Sequence, residues 1–345
     1  MNIEDIVGFE ALWDSMMKCK RGVIWKDSVA GFCLDAIRQV SHLYDELADG
    51  IYKERPHKCF TIRYPKERAI MSISFRDRVY QRSLNDVGIY PAMSKSFIYD
   101  NAACQKGKGA DFARNRFKCH LQRYYRKHGA DGYVLKMDVR GYYPNMRHDV
   151  AKETFKRRLA PEVYQRAEAI LDGFPGEVGF NPGSQIIQIA GISVLDGIDH
   201  YIKERLRIRH YLRYMDDMLI VGNNRTELEQ IWKDVDKRLQ EIGFELHPTK
   251  TRIIPIRDGI MFLGFEYRLT ETGKVIMSID PTRVQAIRRK LYRMVKKTKA
   301  GLLTRAKVDE SYQSWRSHAA KGNSWKLLKR MDAYYISLWR RETCA

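Results

Sequence analysis

Tyr214-Met215-Asp216-Asp217 constrains this chain more than any other four residues, because it sets two adjacent carboxylates between two strand-like runs. Arg207-Ile208-Arg209-His210-Tyr211-Leu212-Arg213 precedes it, and Met218-Leu219-Ile220-Val221 follows, closed by Gly222-Asn223-Asn224. The pattern predicts a β-hairpin with the acids at its tip. A turn aspartate ordinarily satisfies its own backbone, so the pair by itself fits a plain turn. A third carboxylate in a matching setting changes the reading. Asp138 ends the run Tyr133-Val134-Leu135-Lys136-Met137-Asp138-Val139, whose alternation puts Tyr133, Leu135, Met137 and Val139 on one face and Asp138 on the other. Two strands that each deliver acids from a packed sheet suit a pair of divalent cations. Mg²⁺ prefers carboxylate and phosphate oxygens, and two ions about 3.5–4 Å apart stabilise both the attacking and the leaving oxygen of an in-line phosphoryl displacement. The expected chemistry is nucleotidyl transfer.

The charge balance points to a polyanionic partner. Lys plus Arg total 62 against 42 Asp plus Glu, a formal net charge of +20, and neutralising phosphates with release of counterions is the main source of non-specific nucleic-acid affinity. Cys19, Cys33, Cys59, Cys104, Cys119 and Cys344 form no Cys-x-x-Cys pair. They suggest neither a disulfide framework nor a zinc knuckle, and are expected to be reduced thiols. The start Met1-Asn2-Ile3-Glu4-Asp5 lacks a basic leader, and no run approaches the roughly 18 apolar residues that span a bilayer. A soluble intracellular protein with no membrane partner is expected.

Residues 1–55 read as helical, with Ile6, Phe9, Leu12, Trp13 and Met16 at helical spacing. Residues 58–73 read as a hairpin with Lys66 and Arg68 near its tip. Ser74 reads as the N-cap of the next helix, with Asp77 as its capping-box acid. A basic helix is expected from Asp111 to about Lys127, helices from His148 to Asp172, and an apolar helix from Ile186 to about Leu206. After the acidic hairpin come a helix from Thr226 to Ile242 and a strand around Met261–Phe265. Asp280 and Pro281 open a helix whose Val284, Ile287, Leu291, Met294 and Val295 share one stripe, with Gly301 as its stop. Between Pro281 and Gly301 lie eight Lys and Arg and no acid. A one-sign helix fits the backbone of a nucleic acid better than a solvated face, which normally mixes signs.

Tyr-Met-Asp-Asp at a hairpin, with an upstream strand ending Asp138-Val139-x-x-Tyr142-Tyr143, resembles the palm of reverse transcriptases. The resemblance runs in motif order over residues 58–340 and implies an α+β right-hand polymerase: a helical extension (1–55), fingers (56–131), a palm with an antiparallel sheet (132–275) and a helical, basic thumb (276–345). It implies an RNA-directed DNA polymerase in which Asp138, Asp216 and Asp217 hold two Mg²⁺ ions, with Mn²⁺ as an alternative. Lys250, in His247-Pro248-Thr249-Lys250-Thr251, matches the lysine proposed to protonate the leaving pyrophosphate. Tyr143 falls where a bulky ring would exclude a 2′-hydroxyl and so select dNTPs, while Tyr142 reads as packed. Lys66 and Arg68 match residues that hold the triphosphate. Phe262-Leu263-Gly264-Phe265 resembles the primer grip, and Arg288, Arg289 and Lys296 fall on the thumb helix facing primer and template.

Asn181-Pro182-Gly183-Ser184-Gln185-Ile186-Ile187-Gln188 departs from the commoner Pro-Gln-Gly followed by Ser-Pro. Gly183 still lets backbone approach a nucleotide, and Gln188 resembles the bacterial branch of diversity-generating retroelement, abortive-infection and defence-associated enzymes. That branch implies a bacterial cytoplasmic protein serving antiphage defence or retroelement diversification. Its expected partners are an RNA template and RNA/DNA hybrid, dNTPs, a dedicated noncoding RNA and a small helical accessory or effector protein. With the resemblance covering residues 58–340, no RNase H, protease or endonuclease domain is expected. Two other readings stand beside it: an RNA-binding, maturase-like scaffold with a vestigial palm, and a template-independent polymerase on the same palm.

Overall fold

The computed structural model describes residues 3–63, 67–181 and 183–340. The helical start consists of α1 (Glu4–Val7), α2 (Phe9–Cys19), α3 (Asp27–Leu34) and α4 (Ala36–Ala48), whose apolar positions Ile6, Leu12, Met16, Val40 and Leu43 are buried. The expected hairpin follows as β1 (Lys58–Ile62) and β2 (Arg68–Ser72), paired antiparallel with Phe60 opposite Ile70. Every residue of β1 is exposed, so this ribbon adds little to the core. Ser74 caps α5 (Phe75–Ser83), its hydroxyl accepting from the Asp77 N–H at 3.2 Å.

Asp77 does more than cap the helix. It is fully buried, and its carboxylate accepts from the hydroxyls of Ser74 (2.6 Å) and Tyr52 (2.9 Å), the Arg55 N–H (3.1 Å) and the Arg76 guanidinium (3.0 Å). A buried charge is tolerable only with such a set of donors, and the set ties the segment after α4 to α5.

Residues 84–89 wind as a π turn into α6 (Tyr90–Met93), and a loop leads to α7 (Ala110–His128). Next come β3 (Tyr133–Asp138), α8 (His148–Lys156), α9 (Pro161–Asp172), α10 (Gln185–Val194) and α11 (Asp196–His200). The acidic hairpin is β4 (Tyr211–Tyr214) and β5 (Asp217–Gly222), followed by α12 (Arg225–Glu241) and β6 (Arg252–Pro255). The chain ends in β7 (Ile260–Phe262), β8 (Phe265–Leu269), β9 (Val275–Ile279), α13 (Pro281–Lys299), α14 (Arg305–Ala319) and α15 (Trp325–Arg340). One sheet has the order β4-β5-β3-β6, with β3 and β6 antiparallel and Leu135 opposite Ile253. Another is the antiparallel meander β7-β8-β9.

One sequence expectation is corrected. The helix expected from Ile186 to Leu206 breaks at Leu195, where Asp196 is buried and drawn to Arg158 (2.8 Å) and Ser96 (2.8 Å). It ends in a π turn in which the Leu206 N–H reaches the Tyr201 carbonyl. β3 is buried along most of its length, Val134, Leu135, Met137 and Asp138 all being shielded, as in a central strand packed on both faces.

The chain packs as two compact units. One holds the chain up to Ala113 with 137–219 and 230–251; the other holds 114–136, 220–229 and everything from Arg252 on. The second contains a three-helix bundle in which Ile287, Leu291, Val295, Val308, Tyr312, Met331 and Leu338 form the core. Asp280 caps α13 as expected, accepting from the Thr282 N–H at 2.8 Å, and Gly301 (φ +73°) follows its end. Among the described residues no helix is long and apolar enough to cross a membrane.

Candidate active site

The backbone of the first unit brings two acid-bearing segments together. β3 ends at Asp138, and the Val139 N–H donates to the carbonyl of Asp216 at 3.4 Å. The β4–β5 turn is tight: Met215 lies at φ +56°, a left-handed conformation uncommon for a residue with a Cβ. Residues 246–251 close the other side of Asp138. Leu246 bridges to Val139, the His247 N–H donates to the Asp138 carbonyl at 2.7 Å, and the Asp138 N–H donates to Thr251 Oγ1 at 3.3 Å. That segment delivers Lys250, whose ammonium lies 2.8 Å from Asp138 Oδ1 and is half exposed.

The electrostatics follow from this crowding. Burial pushes the Asp216 carboxyl up to about 6, the Asp217 and Asp138 carboxylates push the same way, and Lys250 opposes them. Among the described residues no three acidic, His or Cys side chains are arranged around one point as a metal site, and Lys250 takes one oxygen of Asp138. The donor chemistry nonetheless fits hard divalent cations, because the carboxylates are oxygen ligands and their mutual repulsion is what a cation relieves.

Of the adjacent tyrosines, Tyr142 is the packed one. Tyr142 is buried against Phe244, with ring centroids 5.0 Å apart, and donates its hydroxyl to the Gly191 carbonyl of α10. Tyr143 is partly exposed, and its ring lies along Gly191, where a Cβ would meet the Tyr143 hydroxyl at 2.8 Å. The Tyr143 hydroxyl is buried with no hydrogen-bond partner, and burial raises its pKa further than any neighbour does. Gly183 meets its need for glycine within the protein: a Cβ there would sit 2.4 Å from the Met71 carbonyl of β2. Ser184 caps α10, accepting from the Ile186 N–H at 3.1 Å, and one turn on Gln188 lies beside Cys104, whose Sγ is 3.8 Å from Gln188 Oε1 and 3.6 Å from Met215 Sδ. Lys66 lies outside the described residues. Arg68 opens β2, and its side chain likewise lies outside them.

The second unit holds the other expected residues. Phe262-Leu263-Gly264-Phe265 is a two-residue hairpin turn between β7 and β8, with Leu263 at φ +44° and Gly264 at φ +89°; positive φ at both centres matches the strand twist. Phe262 is buried against Phe117, with centroids 5.5 Å apart, so it anchors the hairpin. The Leu263 carbonyl accepts from Arg114 at 3.4 Å, and Arg283 and His318 flank Gly264. Arg288, Arg289 and Lys296 are exposed on α13, with the Arg288 guanidinium 4.3 Å from the centroid of the Tyr334 ring.

Several site residues were missed by sequence reasoning: Cys104, Gly191, Arg114 and Arg213. Arg213 carries a legible signal, a charge inside an otherwise apolar strand. It is fully buried and paired at 2.6 Å with Asp199, also fully buried.

Comparison with known proteins agrees with this geometry. The chain is similar in structure to telomerase from Candida albicans in complex with a fragment of telomeric RNA (TM-score 0.52, 12% identity, covering 85% of this chain and 56% of that one). It also matches apo telomerase from Candida tropicalis lacking its C-terminal domain (TM-score 0.48, 13% identity, covering 65% of this chain and 55% of that one). The chain thus spans little more than half the length of either structure. The first likeness supports a right-hand polymerase fold of mixed helix and antiparallel sheet. No curated protein matches the sequence. The family model described as reverse transcriptase (RNA-dependent DNA polymerase) matches residues 62–267, more than half of the chain and the whole acid-bearing sheet, so the chain belongs to the reverse transcriptase family.

Proposed function

We propose that this chain is an RNA-directed DNA polymerase that extends a primer on an RNA template with dNTPs. The observation that carries the reading is the joining of Asp138 and Asp216 through the Val139-to-Asp216 backbone bond, with Lys250 seated on Asp138. Asp138, Asp216 and Asp217 would hold two Mg²⁺ or Mn²⁺ ions, whose chemistry is to neutralise charge on the oxygens of an in-line phosphoryl displacement. In that displacement the primer 3′-oxygen bonds to the α-phosphorus as the bond to pyrophosphate breaks. The Lys250 ammonium would give its proton to the departing pyrophosphate. Tyr143, backed by Gly191, presents a bulky ring where a ribose 2′-hydroxyl would sit. Lys66 and Arg68 suit the triphosphate, Arg by a planar fork and Lys by a compact charge. The β7–β8 turn with Phe262, Leu263 and Gly264 suits the primer end, and Arg288, Arg289 and Lys296 on a helix without acids suit a phosphate backbone.

Within this reading, Ile187-Gln188 in place of Ser-Pro supports the bacterial branch. The chain would then act in the bacterial cytoplasm on a dedicated noncoding or retroelement RNA, in antiphage defence or sequence diversification, with a small helical accessory or effector protein. A purified preparation given a labelled primer, Mg²⁺ and dNTPs tests the reading. Extension on an RNA template, absent without template and weak with rNTPs, is expected; equal products without template would replace it with template-independent synthesis. Sequencing RNA that copurifies with the chain identifies the template.

A further inference from the structure

Arg213 occupies β4 two residues before Met215, and every part of it is held. Its N–H donates to the Asp100 carbonyl at 3.0 Å, and its carbonyl accepts from the Ala102 N–H at 2.9 Å. Its side chain donates from Nε and Nη2 to the two oxygens of Asp199 (2.8 and 2.6 Å), from Nη2 to the Ile192 carbonyl (2.8 Å) and from Nη1 to the Met215 carbonyl (3.1 Å). Asp199 accepts in addition from the Tyr211 hydroxyl at 2.6 Å. Arg213 and Asp199 are both completely shielded from solvent.

Stability alone does not account for this pair. Removing two ions from water is costly, and apolar residues of similar volume commonly serve a core as well. The pair is distinguished by what its fork reaches. Ile192 contributes one of the last carbonyls of α10, which have no partner within the helix. Met215 contributes the carbonyl just before Asp216, in a residue held at φ +56°. The carbonyl of Asp216 is in turn held by the Val139 N–H. Asp216 therefore leaves the turn between two pinned peptide groups, one fixed by Arg213 and one by the strand that ends in Asp138.

We propose that Arg213, with Asp199 as its buried counter-ion, is a positioning residue for nucleotidyl transfer: its guanidinium holds the Met215 carbonyl and so sets the direction from which the Asp216 carboxylate is presented. The role in transfer rests on the function proposed above; the clamp on the turn does not. Through Ile192 the same fork ties the catalytic turn to α10, the helix that backs Tyr143. A lysine cannot replace it, because a single ammonium cannot reach both carboxylate oxygens and two carbonyls in one plane.

The test compares wild type with the double variant Arg213→Met, Asp199→Leu, which removes both charges while filling their volume, and with Arg213→Lys. Amide hydrogen exchange across residues 214–218 is read on the protein without nucleotide, and single-nucleotide incorporation is read on a primed RNA template. The expected result is exchange at the turn faster by about tenfold or more, unchanged exchange in α13–α15, and kcat lower by about ten- to a hundredfold. The dNTP KM and the affinity for primed template stay within about twofold, the mark of an interaction needed mainly in the transition state. Should the double variant fail to fold by circular dichroism, Arg213→Lys is read in the same way. Wild-type exchange at the turn and wild-type kcat, even with a lowered melting temperature, overturn the proposal and leave the pair a purely structural one. If wild type itself makes no DNA, the proposed function fails, while the exchange measurement still decides whether Arg213 holds the turn.

Discussion

Gly191 in α10 sets how far the Tyr143 ring can lean back, and replacing it tests that arrangement quantitatively. A Cβ at position 191 would lie 2.8 Å from the Tyr143 hydroxyl and 3.2 Å from two ring carbons, where ordinary contact begins at 3.4 Å. The ring must therefore move off the helix, into the space assigned to the sugar of the incoming nucleotide. Overpacking of this kind costs about 1–3 kcal/mol, and alanine returns about 0.5–1 kcal/mol through its better helix propensity. Gly191→Ala is expected to lower stability by up to about 2.5 kcal/mol on balance and to raise the KM for dNTPs about tenfold. Tyr143→Phe removes the crowded hydroxyl, which is buried without a partner and whose loss is expected to be neutral or stabilising by about 1 kcal/mol. In the Gly191→Ala background it should restore most of the lost stability and of the KM, a coupling of about 1 kcal/mol between residues in contact. Urea unfolding and steady-state incorporation of one dNTP on the four proteins measure both quantities. Strictly additive effects in stability and in KM would refute the reasoning, because they would show that the hydroxyl and the new methyl do not meet.

Other outcomes follow from the same structure. Lys250→Gln removes the ammonium from Asp138, so kcat should fall roughly ten- to a hundredfold, read by single-turnover extension, with affinity for primed template unchanged. Burial and neighbouring carboxylates hold the Asp216 carboxyl at about 6, above its ordinary value, so the folded state keeps a proton that the unfolded chain gives up. The stability linked to that proton is full below the ordinary carboxylate range and is lost as pH rises through about 6. Mg²⁺ should therefore raise the melting temperature more near neutral pH than near pH 5, and Asp216→Asn should flatten that dependence. Asp77→Ala leaves Ser74, Tyr52, Arg55 and Arg76 without their shared acceptor, and should cost about 3–5 kcal/mol in urea unfolding. Leu291→Ala opens a cavity in the three-helix bundle and should cost about 2–5 kcal/mol.

The acidic hairpin was legible because its signals are local. Two apolar runs flank the acids, and a third acid ends an apolar strand. The helix from Pro281 to Lys299 was legible for the same reason, with a capping aspartate, an N-terminal proline, one apolar stripe and a terminal glycine. The supports of the site were not, because they join residues far apart in the chain. Gly183 needs to be glycine because of Met71, and Gly191 because of Tyr143; neither partner can be read from the glycine's own neighbourhood. Asp199 lies in what reads as one long apolar helix, and only the break at Leu195 and the π turn after it show how it comes to meet Arg213. Asp77 reads as a capping-box acid because Ser74 lies three residues before it, while its bonds to Tyr52 and Arg55 depend on tertiary packing. That β3 is buried on both faces was not legible, because its sequence does not show what packs over the Asp138 side.

The central claim is that Asp138 and Asp216 together catalyse template-directed DNA synthesis. Extension of a labelled primer on an RNA template with dNTPs and Mg²⁺, measured side by side for wild type, Asp138→Asn and Asp216→Asn, tests it most directly. The account predicts that wild type copies the template and that each substitution lowers the rate by roughly a thousandfold, with folding and template affinity retained. Equal DNA synthesis by wild type and Asp216→Asn would contradict it.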